Sequence, residues 1–343
     1  MASSNTSIIL AICSATILAL CFYPLLENRN KTYEIPKEVK VAFDEWKVKY
    51  GRLFSSPEEQ DYRLKVFYKN WVEVKSSSDE NVKYELNHFA DLSEEEFKSK
   101  YLMHESVMQE AKKYHEEALE SQANNGINIE ELSSGLQGSV EIDWVKENKV
   151  LTPRNQKLCG SCWAFTAAAA IESAYLIKGS SDMEYISVQQ MVDCFQNENG
   201  CQGGLPPRVF YALSETGYEL SKDVDYPYEN DQNECRDAPR FYSISSYYML
   251  QDSDRAHLQA LKVGPVAIGL DGLKFRFYKS GVSNPRCGPP NHAVTIVGHG
   301  YDQYGDLFWK IKNSWGSSWG EEGYFRIKKG GGCKISLAAI PIV

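Results

Sequence analysis

The chain has 343 residues, 43% of them hydrophobic, enough for substantial cores in two or three domains of a globular protein. Its formal net charge of −9, with no basic run interleaved with aromatics, excludes a nucleic-acid surface built on attraction to phosphates.

Read in chain order, the first charged side chain is Glu27, and the stretch SIILAICSATILALCFYPLL before it is apolar enough to enter a translocon or a bilayer. It predicts export, with residues 1–22 as a cleaved signal peptide or, because a basic n-region is missing, an uncleaved anchor. Asn30 in NKT is a glycosylation sequon of the kind met in a lumenal passage. Nine cysteines follow an uneven plan, Cys13 and Cys21 in the leader and seven from Cys159 onward. Seven is odd, so in an oxidising compartment six pair and one thiol stays free.

Between residues 35 and 100, VAFDEWKVKYGRLF and PEEQDYRLKVFYKNWVEVK space apolar residues at three and four, which predicts two helices burying Phe43, Trp46, Phe67 and Trp71. Residues 104–137 are rich in Glu, Gln, Asn and Ser and read as a partly helical linker without a core of its own. The composition changes near Gly138, where glycine, tyrosine and cysteine crowd in and a second unit begins. There SCWAFTAAAAIESAYLIK has almost no polar face and predicts a helix buried at a domain centre. GPVAIGL, NHAVTIVGHGY, LFWKIKNSW and GYFRIKK read as strands, so this unit is helical before about residue 245 and β after it.

Cys159 and Cys162 fit half a zinc site, a redox dithiol, or a structural cysteine beside a reactive one. Zinc requires a second close pair, and Cys194 with Cys201 stand seven apart; a redox pair leaves five thiols unexplained. A nucleophile explains more, because Cys162 falls in the first turn of the alanine-rich helix, where free N–H groups and the helix dipole favour a thiolate. A thiolate needs an imidazole. His257, in DRAHLQALK, reads as a solvated surface residue. His292 and His299 share one strand at an odd separation, so they point to opposite faces and only one meets the sulfur. Asn313, two before Trp315, is suited to orient an imidazole under an indole shield.

CGSCWAF, NHAV beginning one residue before His292, and KNSWGSSWGEEGY together resemble the papain family of cysteine proteases over roughly residues 141–343. The resemblance implies an α+β fold of two lobes, a helical left lobe and a β-barrel-like right lobe with the active site in the cleft, preceded by a helical propeptide domain. It implies Cys162 as nucleophile, His292 as general base and acid, Asn313 as orienting amide and Gln156 as oxyanion-hole donor. Lys157 departs from the glycine usual after that glutamine. The resemblance also implies disulfides Cys159–Cys201, Cys194–Cys235 and Cys287–Cys333, leaving Cys162 free. Gly203 and Gly204 would pair with an extended substrate. Trp315 is also assigned to substrate binding, and Leu205, Pro206, Gly269, Ala293 and Ala338, or its neighbour Leu337, would line an apolar subsite selecting a bulky hydrophobic residue at P2.

Glu59, Arg63, Phe67, Asn70 and Val74 match the interspersed helix motif of cathepsin L-type propeptides, with Ser78 in place of its last asparagine. Asn87, Phe89 and Asp91 match the second motif, with Glu85 in place of a glycine. The domain plan is then 1–22 leader, 23–103 inhibitory propeptide, 104–137 linker cut between about Gly135 and Glu141, and 138–343 mature peptidase. The implied protein is a monomeric endopeptidase zymogen of the lysosome, a digestive vacuole or the secreted space. It takes protein and peptide substrates, its own propeptide as inhibitor and cystatin-type inhibitors as partners, with no metal or organic cofactor. The alternative is a catalytically impaired binding protein on this fold or a propeptide-type inhibitor.

Overall fold

The computed structural model describes residues 34–77, 79–124 and 141–343; the apolar leader, the Asn30 sequon, Ser78 and all but the last residue of the 135–141 processing window lie outside them. No helix of the described residues is long and apolar enough to cross a membrane. Among the described residues, those from 34 to 60 form one compact unit and those from 61 onward another.

In the first unit, α1 (Lys37–Tyr50) buries Val39, Phe43 and Trp46, spaced four and three apart. Phe43 stacks on Trp46 and on Phe54, both at 6.0 Å. Gly51 ends the helix at φ 60°, where its N–H reaches the free carbonyls of Lys47 and Val48. Glu59, in the first turn of α2 (Pro57–Ser76), accepts from Ser55 N at 2.8 Å.

In the second unit α2 buries Val66, Phe67 and Asn70. Trp71, expected in a core, is only half-buried and lies under the Lys75 ammonium; the buried stripe runs through 66, 67 and 70, which leaves position 71 at its margin. Asn70 donates from Nδ2 to the carbonyls of Ala90 and Leu92, both at 2.9 Å, and accepts from Arg276 at 3.2 Å. Arg63 holds the Asp91 carbonyl and the Glu96 carboxylate. These side chains tie α2 to the turn at Asn87–Leu92, where Asn87 Nδ2 donates to the Arg276 carbonyl at 2.8 Å. After β1 (Val82–Tyr84) and that turn, α3 (Glu94–Tyr101) starts at a Ser93–Glu96 capping box. Glu85, standing where a glycine was expected, pairs with Lys279 at 3.2 Å.

The linker forms α4 (Glu105–Asn124). It makes no core alone and borrows one: Val107 and Ala111 are buried in the same cluster as Trp163 and Leu205. Gln122 bonds both the Tyr247 carbonyl and the Met249 N–H, occupying the edge of a strand. A cavity of about 920 Å³ lies beside α4, lined by His115, Asp252, His257 and Leu337 among others.

The rest comprises β2 (Ile142–Asp143), α5 (Cys162–Lys178), α6 (Val188–Cys194), α7 (Pro206–Thr216), β3 (Ser246–Met249), α8 (Asp254–Val263), β4 (Val266–Leu270), β5 (Tyr278–Ser283), β6 (His292–Tyr301), β7 (Leu307–Lys312), β8 (Tyr324–Lys328) and β9 (Ser336–Ile342). The strand order is β1-β5-β8-β7-β6-β4-β9-β3, with β2 on β6. The pro-segment's β1 extends the sheet of the later unit by pairing antiparallel with β5. α5 is buried on every side from Cys162 to Ser173, as its lack of a polar face requires, and packs on β6, α7 and β9. α8 is the helical exception in the β half.

α8 also corrects the reading of His257. This residue is 2% exposed and packs against Trp309 at 6.3 Å. His257, Ala260 and Leu261 form the buried i, i+3, i+4 stripe, so the histidine sits on the inner face of the helix. Burial pushes its pKa down to about 4.

Asn70→Ala leaves two buried carbonyls and part of the Arg276 guanidinium without a partner. The expected loss is about 2–4 kcal/mol of zymogen stability, read as a lower urea midpoint in a Cys162→Ala background; an unchanged midpoint contradicts this account of Asn70.

Candidate active site

Cys162 is the first residue of α5, and the turn before it is clamped from two directions. Cys159 is disulfide-bonded to Cys201, and Gly160 N donates to the Cys201 carbonyl at 2.8 Å. A Cβ on Gly160 would stand 2.4 Å from that carbonyl oxygen, so only glycine fits. Cys194–Cys235 and Cys287–Cys333 are also bonded, and Cys162 is the free cysteine among the described residues. Neither a redox dithiol nor a zinc set with Cys194 and Cys201 survives this pairing.

β6 opens at His292 and α5 packs directly on it. The N–H of Ala293 points at Cys162 Sγ at 3.5 Å. His292 Nε2 lies 2.8 Å from Asn313 Oδ1, and Trp315 stacks on the imidazole at 4.7 Å. His299, at the other end of β6, faces Trp309 instead at 6.1 Å. The β6–β7 register is interrupted between Ile296 and Gly298, so distance along the strand separates the two histidines as much as parity does.

Gln156 is fully buried; its Oε1 accepts from Ser314 Oγ at 2.7 Å, and its backbone N donates to the Ser314 carbonyl at 2.8 Å. The amide is thereby oriented, with Nε2 donating to the carbonyls of Cys159 at 2.9 Å and Tyr101 at 3.1 Å. Tyr101 belongs to the pro-segment, which crosses the site here. Met103 N donates to the Asn291 carbonyl at 2.8 Å and His104 N to the Gln202 carbonyl at 3.0 Å. Phe89 and Phe97 stand edge-on to Trp315, both at 5.4 Å.

Of the glycine pair, Gly203 meets the crossing segment: its Cβ position is 3.2 Å from Met103 Cβ. Gly204 is glycine for another reason, since a Cβ there would run into Glu198 Oε2 at 2.5 Å and the Trp163 ring at 2.7 Å. Leu205, Ala293 and Leu337 share the buried cluster with Met103 and Val107, and Leu337 reaches within 3.1 Å of the Cβ position on Gly269. Pro206 is buried at the start of α7. Leu337 is buried within that cluster and Ala338 outside it. Leu337 adopts φ 57° where the β4–β9 register shifts, so a local bulge, and not regular alternation, sets which of these neighbours meets the cluster. Lys157 adopts φ 52°, the conformation for which glycine is the usual choice, and its N–H is held by Asn155 Oδ1 at 2.8 Å. Sequence reasoning missed Ser314, although it adjoins Asn313, and the pro-segment carbonyl of Tyr101, which carries no side-chain signal.

Comparison with known proteins agrees with this geometry. The model for papain family cysteine proteases matches residues 139–342. The chain belongs to the papain family of cysteine proteases. A second model, the cathepsin propeptide inhibitor domain, matches residues 43–97, so the protease is a zymogen carrying its own inhibitor. It is 36% identical over 299 residues to a senescence-specific cysteine protease of Arabidopsis thaliana, covering 83% of each chain. It is 35% identical to cathepsin L 2 of Paramecium tetraurelia, covering 92% of this chain and 96% of the relative. Among solved structures, the recombinant stem bromelain precursor superposes with a TM-score of 0.73 at 29% identity, covering 90% of this chain and 99% of that one. The digestive procathepsin L2 of Tenebrio molitor gives 0.73 at 27% identity, covering 89% and 100%.

In this closed form, burial pushes the Cys162 thiol up to about 12 despite hydrogen bonds from the Ala293 and Trp163 N–H groups. Burial likewise pushes the His292 imidazole down to about 4 against its bond to Asn313. The helix terminus alone favours a thiolate, but exclusion of water outweighs it, so the closed form disfavours charge on both the sulfur and the imidazole. An imidazole depressed from 6.5 favours the closed state fully above that pH and less as pH falls toward 4; a thiol raised from 9.0 favours it fully below that pH and less as pH rises toward 12. Measured against the free side chains, these two groups weaken the closed zymogen as pH falls below about 6.5 or rises above about 9.

At pH 7.5, iodoacetamide should label Cys162 in the intact zymogen at least about 100-fold more slowly than in the processed enzyme. Equal rates, measured by mass spectrometry of the labelled peptide, contradict a neutral shielded thiol.

Proposed function

We propose that the processed protease cleaves peptide bonds through a Cys162 thiolate and His292 imidazolium. The thiolate attacks the scissile carbonyl carbon, and the oxyanion is met by Gln156 Nε2–H and the Cys162 backbone N–H. His292 passes its proton to the departing amine. It then takes a proton from the water whose hydroxide attacks the thioester, and the sulfur leaves as a thiolate, which restores the starting thiolate–imidazolium pair. Asn313 Oδ1 accepts from His292 Nε2–H, which directs Nδ1 toward the sulfur. The observation that carries this reading is the Tyr101 carbonyl on Gln156 Nε2: beside Cys162, a peptide carbonyl already occupies the donor that a substrate carbonyl would use.

The domain plan proposed is propeptide to about residue 103, linker to about 137 and mature peptidase beyond, with α4 inside the linker. Leu205, Ala293 and Leu337 around Gly269 support selection of a large apolar P2 side chain, since none of them offers a charge to an arginine. The weakening of the closed state expected at low pH from the depressed His292 imidazole supports work in an acidic compartment, the lysosome or a digestive vacuole, or after secretion into acid. Protein substrates, cystatin-type inhibitors and a monomeric state complete the proposal.

Full-length protein should be silent toward a Leu-Arg fluorogenic peptide at neutral pH and gain activity after incubation near about pH 4.5, while Cys162→Ala loses about 10⁴-fold or more in kcat/KM. Activity in Cys162→Ala, or activity unchanged by acid, rejects the mechanism. On a P2 panel, Leu or Phe should exceed Arg by about tenfold or more; the opposite order rejects the subsite assignment.

A further inference from the structure

The two donors proposed for the oxyanion come from opposite ends of one turn, Gln156 at its start and Cys162 at its finish. Their separation depends on the rigidity of residues 157–161. That turn carries a left-handed Lys157, a conformation that costs a non-glycine residue about 1 kcal/mol or more.

A second loop, residues 226–230, clasps the turn from outside. Tyr228 OH donates to the Gln156 backbone carbonyl at 2.7 Å. Ser161 Oγ lies 2.7 Å from the same phenol oxygen. A phenol has one hydrogen, already directed to Gln156, so Ser161 is the donor in this pair. One hydroxyl therefore joins the backbone of the first oxyanion residue to the residue preceding the second. Between them, Leu158 N donates to Asn230 Oδ1 at 2.7 Å. The Tyr228 ring stands edge-on to Phe165 in the first turn of α5, at 5.0 Å and 79°.

The clasp is itself anchored on α6. Ser187 Oγ donates to the Tyr226 carbonyl at 2.7 Å, Glu229 N to Gln189 Oε1 at 2.8 Å, and Tyr226 OH to Asp193 Oδ2 at 2.9 Å. Burial raises the Tyr228 phenol above its ordinary range, so its hydroxyl stays protonated at any working pH.

We propose that Tyr228 is a positioning residue of the oxyanion hole: its hydroxyl, bridging the Gln156 carbonyl and Ser161 Oγ, sets the spacing between the Gln156 side-chain donor and the Cys162 N–H. This rests on the reading of Gln156 and Cys162 as the oxyanion donors. Among the described residues, Tyr228 hydrogen-bonds Gln156 and Ser161 and neither Cys162 nor His292. Its removal therefore acts on stabilisation of the tetrahedral intermediate and leaves thiolate reactivity alone.

The test uses full-length Tyr228→Phe processed to the mature enzyme. Expected are a fall in kcat of about ten- to a hundredfold, a KM within about twofold, and weaker inhibition by a peptide aldehyde in the same proportion as kcat/KM. Alkylation by iodoacetamide, which forms no oxyanion, should stay within about twofold. Ser161→Ala removes the other arm of the bridge without touching the ring. It should give the same pattern more weakly, and its effect should be less than additive with Tyr228→Phe; it also serves if Tyr228→Phe does not fold. Unchanged kcat and aldehyde affinity in the variant overturn the proposal, as does an alkylation rate that falls in step with kcat. Gln156→Ala separates the two levels. Full activity in Gln156→Ala removes the oxyanion assignment itself, whereas a crippled Gln156→Ala beside a fully active Tyr228→Phe removes only the clasp.

Discussion

The site depends on a short buried link between the two lobes of the protease. Ser314, beyond β7, accepts the backbone N–H of Gln156 and donates its hydroxyl to the Gln156 side chain. A buried amide with its oxygen committed in this way cannot turn over, so its N–H group stays on the carbonyls of Cys159 and Tyr101. Ser314 N also donates to Asn313 Oδ1, the atom that holds His292. The Gln156 amide, the Asn313 amide and the His292 imidazole are thus positioned through two adjacent residues of one chain segment. Moving that segment would displace all three together.

Latency follows from the same geometry with water removed. The pro-segment contributes carbonyls and N–H groups where a substrate would, and aromatic rings over Trp315. It also removes the solvent that a charged sulfur–imidazole pair would need. Blocking and electrostatic silencing are therefore one event. On the proposed mechanism, departure of the segment would both vacate the cleft and restore the conditions under which the helix terminus can favour a thiolate.

Much of this was legible from residue order. The alanine-rich run could only be a buried helix, and glycine-bounded β-branched runs became the sheet. Cys162, His292 and Asn313 were recognisable because each sits in a distinctive local string. What was not legible was settled by contacts between distant segments. His257 looked like a surface residue until its stripe with Ala260 and Leu261 was set against Trp309. Leu337 and Ala338 are neighbours whose roles depend on strand register. α4 has a composition that promises no core because its core belongs to another part of the chain. Tyr228 lies 72 residues from the carbonyl it holds, and DYPYEN gives no local hint of it.

The pairing of β1 with β5 has a consequence for the life of the molecule after activation. β5 has β8 on one side and the discarded β1 on the other, so maturation converts an interior strand into a border with unpaired backbone groups. Such a border invites other chains to add to it. Here it is only six residues long, carries Lys279, and is broken by Gly281 at φ 104°, where a side chain would stand 2.0 Å from the Asn81 carbonyl oxygen of the departing partner. The glycine that admits the pro-strand is thus the same residue that roughens the edge left behind, so one position serves both storage of the protease and its solubility once free.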